Sequence, residues 1–460
     1  MKTINEGNSN ICMILGKQEI KVAKYRLMKY LLDAESNEGI LLQNTITGQM
    51  VLLNAEEESL IKNLPDNVNE NMKPLVESFF LVPEDYNEKQ TVLQLREIMK
   101  KLFNPKGIKS YTILTTTNCN ARCFYCYENE LPHFDMNEST ANKLVEYIEK
   151  HKGEGAIELH WFGGEPLIRE DRISQICNSL KDRGIKYVSR MTSNGYLFTK
   201  DLIEKAATQW KLNSVQITLD GTEEIYNNTK KYIHAEESPY QRVLNNIQDL
   251  LAQDIHVIIR LNLDKHNMQD LWKLADELNT SIKDFEKINV YTHVLFEDAG
   301  FMPIKRNDES RALLYNSQVE LNKHLKELGL YKGHKGLPFL KTHNCMADTD
   351  NAIAVFPDGK LFKCEHVQKG DEVGNIKDDI YIEQKRDKYL VTAELDECGE
   401  CPIYPSCILL ENCQGKKDKN RFTCRYDIEL YRQSLVGYHR SKTMCNSDVK
   451  ELPHNNNNTI

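Results

Sequence analysis

The chain has 460 residues, with 59 Lys and Arg against 68 Asp and Glu and a formal net charge of −9. That length suits about two to four domains of roughly 100–200 residues each, and a core that needs no disulfides. The acidic balance argues against nucleic acid, which calls for a basic surface. No stretch reaches the roughly 20 apolar residues of a membrane span, and MKTINEGNSNICMILGKQEI lacks the apolar core of a signal peptide, so a cytoplasmic protein with no membrane partner is expected.

Residues 1–95 read as a small α+β unit. In GILLQNTITGQMVLLN two short strands flank a Thr-Gly turn, a hairpin pattern. AEEESLIKNL and NENMKPLVESFFL follow as helices, and after the acidic stretch VPEDYNEKQ the segment TVLQLREIMKKLF forms a helical link. Asn104-Pro105-Lys106-Gly107 is a turn and marks a boundary.

Between 105 and 335 strands alternate with helices. The expected strands are SYTILTTT, AIELHWFGG, KYVSRMTSNG, SVQITLDG, HVIIRLNL and INVYTHVL. Amphipathic segments such as STANKLVEYIEKHK, DRISQICNSLKDRG, TKDLIEKAATQW and YQRVLNNIQDLLAQDI lie between most of them. This alternation predicts a parallel sheet with right-handed crossovers. Six units closed part-way make an α/β fold, a partial (β/α)6 TIM-like barrel, with binding residues at the C-terminal ends of its strands. Beyond about 335 the periodicity fails. Residues 340–430 are expected to form an irregular domain ordered by metal crosslinks, and 431–460 a tail whose end, ELPHNNNNTI, is disordered.

The chain has 13 cysteines, and they are grouped. Cys12 and Cys177 stand apart, the latter on the apolar face of ISQICNSL. Cys119, Cys123 and Cys126 share one loop, and the other eight lie between Cys345 and Cys445. In a reducing compartment, clustered cysteines are metal ligands more often than disulfides.

Cys119-Asn-Ala-Arg-Cys123-Phe-Tyr-Cys126 follows directly on the first strand of the repeat. Three thiolates from one loop can hold three irons of a 4Fe–4S cubane and leave the fourth open, whereas ordinary electron-transfer clusters take four cysteines. A zinc site would need a fourth ligand, such as His133. Zinc would leave the strand ends unexplained: Gly163-Gly164-Glu165-Pro166, Ser193-Asn194-Gly195, Leu219-Asp220-Gly221, and Arg260 with Asn262.

In its order and spacing over residues 110–295 this set resembles the radical S-adenosylmethionine (SAM) superfamily. The resemblance implies that Cys119, Cys123 and Cys126 hold a 4Fe–4S cluster whose open iron chelates SAM. One electron then splits the C–S bond to give a 5′-deoxyadenosyl radical, chemistry the cofactor carries while the protein binds and shields it. It further implies that Gly163, Gly164 and Glu165 hold the SAM amino group and that Ser193 and Asn194 meet the ribose and carboxylate. Tyr125 would lie near the adenine, and Asp220, Arg260 and Asn262 would face the cofactor.

Cys345-x13-Gly359-x4-Cys364 is followed by Cys398-x2-Cys401-x5-Cys407-x5-Cys413 and Cys424. Spacing alone would also suit zinc ribbons. AIAVFPDGKLFKC reads as a hairpin turning at Asp358-Gly359, with Cys364 on its second strand. The set resembles the SPASM domain, the auxiliary-cluster module of peptide- and protein-modifying radical SAM enzymes. The resemblance implies an outer 4Fe–4S cluster on Cys398, Cys401, Cys407 and Cys424 and an inner one on Cys345, Cys364 and Cys413. The family pattern has three residues where five separate Cys407 from Cys413. Relatives with a closed inner cluster carry a further cysteine where this chain has Phe339, so the inner cluster is expected to keep an open iron, with His343 and Cys445 as rival ligands.

GILLQNTITGQMVLLNAEEESLIKNL resembles the recognition element of enzymes that mature ribosomally made peptides (RiPPs), which binds a leader peptide as an added strand; the other reading is a structural cap on the barrel. The expected function is that of a peptide maturase which forms a thioether crosslink from a substrate cysteine. Its cofactors would be three 4Fe–4S clusters and SAM. Its partners would be a precursor peptide and an electron donor such as flavodoxin or ferredoxin. The alternatives are a sulfatase-maturing enzyme, which oxidises Cys or Ser to formylglycine, and a non-catalytic iron–sulfur electron carrier. Beyond the cluster, no catalytic side chain stands out.

Overall fold

The computed structural model describes the chain except residues 21–23, 63, 65–69, 104–105, 236–237, 296, 298–305, 333–336, 367–369, 395, 412, 414–420 and 449–460. The expected turn at Asn104-Pro105 and the tail ELPHNNNNTI fall outside the described residues.

Six strands come from the N-terminal unit: β1 (Lys2–Asn5), β2 (Tyr25–Leu27), β3 (Leu31–Ser36), β4 (Gly39–Asn44), β5 (Met50–Leu53) and β6 (Leu81–Pro83). They form a four-stranded antiparallel sheet, β1-β5-β4-β3, and a separate β2-β6 ribbon. The hairpin expected in residues 39–54 is β4–β5, but β1 and β3 extend it on both sides. The helix expected at TVLQLREIMKKLF runs Glu88–Phe103, straight through residue 95.

All six strands of the expected repeat are present: β7 (Ser110–Thr116), β8 (Ile157–Gly163), β9 (Tyr187–Ser193), β10 (Leu212–Leu219), β11 (His256–Leu263) and β12 (Ile288–Val294). They pair in parallel in chain order. The fold is a part-closed α/β barrel. Alternation explains β8: Ile157, Leu159 and Trp161 are buried in the large apolar core, whereas Glu158, His160 and Phe162 sit on the opposite face and are only half-buried.

The cysteine-rich region does not stand apart from this sheet. β13 (Ala352–Val355) pairs in parallel with β7, and β14 (Lys360–Phe362), β15 (Gly374–Asn375) and β16 (Ile380–Tyr381) continue it, so one sheet runs to 10 strands. β13 and β14 are the hairpin expected at Asp358-Gly359. Cys364 is not on its second strand, however. Pairing stops at Phe362, and the buried Lys363 ammonium turns inward to donate to the carbonyls of Thr349 at 2.6 Å and Ala352 at 2.7 Å. Residues 431–460, read as a tail, contain the second half of the helix Arg421–Asp448. Tyr431 and Leu435 bury themselves against Leu32, Leu41 and Leu52 of the N-terminal sheet. No described helix is long and apolar enough to cross a membrane.

The N-terminal unit also grips the outer cysteine loop. Tyr30 Oη donates to the Gly399 carbonyl at 3.2 Å and Thr45 Oγ1 to that of Pro402 at 2.6 Å. Lys29 pairs with Glu400.

Candidate iron–sulfur and cofactor site

Cys119, Cys123 and Cys126 lie on the loop that leaves β7, at the C-terminal end of the parallel strands. Burial is the main cause that pushes the Cys119 and Cys126 thiols up to about 12, and the three sulfurs act on one another electrostatically. An iron centre here therefore has to displace protons as it binds. The loop is pinned at several points. The Cys126 amide donates to the Cys123 carbonyl at 3.2 Å, Arg122 N–H to the Lys230 carbonyl at 2.7 Å, and Ile233 N–H to the Asn120 carbonyl at 2.8 Å.

Gly163 and Gly164 let β8 meet this loop. A Cβ on Gly163, which holds φ +118°, would collide with the Thr116 carbonyl, and one on Gly164 with that of Asn118. The close approach lets Gly164 N–H donate to Thr116 at 3.2 Å and Glu165 N–H to Asn118 at 2.9 Å. Glu165 is wholly buried. Its carboxylate accepts from Ser193 Oγ at 2.9 Å, Asn194 N–H at 2.8 Å and Leu167 N–H at 3.2 Å. Burial outweighs these bonds and pushes Glu165 up to about 7. Asn194 Nδ2 approaches Cys119 Sγ at 3.9 Å and donates to Asn120 Oδ1 at 2.7 Å. The ends of β8 and β9 thus converge on the first cysteine.

A second group forms around Asp220, at the end of β10. Its carboxylate accepts from Tyr125 Oη at 2.9 Å and Asn262 Nδ2 at 3.1 Å, and pairs with Lys230 Nζ at 3.1 Å. Arg260 Nε donates to Asn262 Oδ1 at 2.9 Å, so the β11 residues two apart on one face act as a chain. The residues expected to face SAM therefore fall into two hydrogen-bonded groups, one reaching Cys119 through Asn194 and the other including Tyr125 of the loop.

Sequence reading missed Lys230, which lies at the end of the helix Glu223–Lys230 and is almost fully buried. Its ammonium also donates to Tyr125 Oη at 3.1 Å and opposes the rise of the Cys123 thiol. Nothing in EEIYNNTKK marks it out. Asn267 was missed too; its amide donates to the carbonyls of Asp220 at 2.8 Å and Asn262 at 2.7 Å. So was Glu128, buried and pushed up to about 8 by burial and by Glu365 and Glu165.

Farther along, Cys345, Cys364 and Cys413 lie near enough for their charges to act on one another. Phe339 lies over Gly48 of the N-terminal unit. His343 Nδ1 faces the Asp348 carbonyl at 2.9 Å, and the side chain of Cys445 is outside the described residues. Cys398, Cys401, Cys407 and Cys424 line one cavity of about 290 Å³. Among the described residues no three Cys, His, Asp or Glu side chains converge on a point suited to a single metal ion, a convergence that a cubane cage does not require. His133 is exposed, Cys12 Sγ approaches the Glu6 carbonyl at 3.7 Å, and Cys177 lies in the barrel's apolar core.

Residues 113–278 match the family model described as the radical SAM superfamily. A probable GTP 3',8-cyclase of Methanocaldococcus jannaschii is 32% identical over 219 residues, 46% of this chain and 70% of that protein. A GTP 3',8-cyclase of Clostridium perfringens is 26% identical over 271 residues, 56% of this chain and 80% of its own. Among solved structures, anSMEcpe with bound AdoMet and Cp18Cys peptide aligns at TM-score 0.56 and 14% identity over 73% of this chain and 99% of that one. Streptococcus suis SuiB bound to the precursor peptide SuiA aligns at 0.50 and 14% over 86% and 97%. At these identities the two structures speak to the fold.

Proposed function

The chain belongs to the radical SAM superfamily, and from that premise we propose that it matures a ribosomally made peptide, forming a thioether from a substrate cysteine. Membership brings a 4Fe–4S cluster and SAM, which together supply a 5′-deoxyadenosyl radical. Cys119, Cys123 and Cys126 would hold that cluster. Glu165, Ser193 and Asn194 on one side, and Asp220 with Tyr125, Asn262 and Arg260 on the other, would bind and orient SAM. Gly163 and Gly164 would keep the cofactor tight against the loop.

The observation that carries the reading is the gathering of Cys345, Cys364 and Cys413, joined to the core loop by the stack of Tyr127 on His366, with a full second set of four cysteines around one cavity. Two auxiliary 4Fe–4S clusters suit these sets. Three thiolates in the inner set leave a coordination place that a substrate cysteine could take, which would anchor the peptide and favour its thiolate. The N-terminal unit would receive the leader, and a flavodoxin or ferredoxin would supply electrons. The solved neighbours anSMEcpe and SuiB, each described with a bound peptide, agree with a peptide substrate.

A second reading, cyclisation of a nucleoside triphosphate, is favoured by the names of the curated relatives. Mass spectrometry after coexpression with a short cysteine-containing precursor decides between them. A loss of two hydrogens from the peptide, dependent on its cysteine, is expected. An unmodified peptide alongside turnover of GTP would overturn the proposal. Formylglycine in its place would point to sulfatase-type maturation.

A further inference from the structure

Arg96 is a charged side chain that the reading above leaves without a task. It lies on the helix Glu88–Phe103, outside the barrel, and lines the cavity bounded by Cys398, Cys401, Cys407 and Cys424. Its guanidinium hydrogen-bonds to backbone carbonyls. Nε donates to the Lys341 carbonyl at 3.1 Å, and Nη2 to those of Tyr404 at 3.0 Å, Pro405 at 3.2 Å and Cys407 at 3.1 Å. The same group sits over the Tyr404 ring, 5.2 Å from its centroid. Glu394, on the same cavity wall, is instead paired with Lys89 at 2.5 Å and accepts from Tyr404 Oη at 2.7 Å. Four carbonyls thus fix a cation whose charge is not cancelled by a contacting carboxylate among the described residues.

We infer that Arg96 sets the reduction potential of the outer auxiliary cluster, with Glu394 as its opposing charge. The inference rests on the outer ligand set proposed above. Reducing a cubane adds one negative charge, and a fixed cation in a poorly solvated wall stabilises that form more than the oxidised one. A carboxylate does the reverse. The guanidinium also orders the backbone around Cys407, so its charge and its ligand loop stay in register. The helix that links the N-terminal unit to the barrel then supplies part of the redox site.

The test is a redox titration of reconstituted full-length protein followed by electron paramagnetic resonance. The outer signal is the one lost in Cys398→Ala. Arg96→Gln should make that centre at least tenfold harder to reduce, a negative shift of about 59 mV for one electron. Arg96→Lys, which keeps the charge but cannot span four carbonyls, should restore most of the shift. Glu394→Gln should move the midpoint positive. If the Arg96 variants lose iron, the Glu394→Gln midpoint decides, and no positive shift there overturns the inference. Intact iron with unchanged midpoints in both Gln variants also overturns it. If Cys398→Ala removes no signal, the outer ligand set itself falls, which separates that failure from failure of the role given to Arg96.

Discussion

The ring of Tyr127 stacks on that of His366, centroids 3.9 Å apart and planes inclined by 26°. Tyr127 directly follows Cys126, and the His366 amide donates to Cys364 Sγ at 3.4 Å, so the stack joins the core cysteine loop to the inner auxiliary one. The Tyr127 hydroxyl is buried with no hydrogen-bond partner among the described residues. Tyr127→Phe keeps the stack and relieves a buried unsatisfied group, so stability and iron content should stay level or rise slightly. Tyr127→Ala should lower iron retention at both loops. Iron analysis with a thermal melt checks both.

Lys230 and Asp220 form an ion pair with side-chain exposures of 4% and 2%. Lys230→Met would leave a buried carboxylate unpaired, which costs about 3–5 kcal/mol. The double variant Lys230→Met/Asp220→Leu should cost clearly less than the sum of its two single changes. Urea denaturation of the four proteins gives the coupling. Additive losses would mean that the two side chains act separately.

Replacing Cys119, Cys123 and Cys126 together with Ala should abolish 5′-deoxyadenosine formation and leave the auxiliary iron. The reconstituted parent should approach three clusters per chain and the triple variant two. Continued SAM cleavage by the variant would remove the core assignment. Zinc in place of most of the iron would remove the auxiliary ones.

His160 bonds Thr192 Oγ1 at 3.0 Å, and burial, aided by Arg190, pushes its imidazole down to about 3. The unfolded chain takes up this proton near pH 6.5. The contribution is therefore complete above about 6.5 and is lost as pH falls toward 3, at up to about 1.4 kcal/mol per pH unit. His160→Gln should flatten that part of the stability–pH curve. Denaturation midpoints between pH 7 and pH 4.5 report it.

Deleting residues 1–95 would cut inside the helix Glu88–Phe103 and remove Tyr30 and Thr45, which hold the outer cysteine loop. The truncated protein should lose outer-cluster iron as well as leader affinity. Iron analysis and peptide binding, measured together, separate the two effects. Retained iron with lost affinity would mark the unit as a recognition element alone.

The barrel was legible because its strands alternate with amphipathic helices, and each turning point carries Gly, Asn or Asp. The cysteine sets were legible because thiols are rare and their spacing is local. Lys230 was not. It occurs among polar residues as a surface lysine would, and its burial depends on a carboxylate supplied by the end of β10. Arg96 was hidden in the same way, in a segment that reads as a link. The long helix Arg421–Asp448 escaped because its burial against β3 and β4 depends on a sheet at the far end of the chain. The β7–β13 pairing has no local signature at all.

That pairing bears on the order in which the protein can assemble. During synthesis β7 emerges early, pairs with β8 and leaves its other edge open until residues 352–355 arrive. An open strand edge recruits foreign strands, and closing it across so long a separation is slow. The cysteine loop hangs from the end of that edge. A nascent chain therefore passes through a stage in which the loop exists but its supporting strand is unguarded. Any fragment ending before residue 352 would be held at that stage.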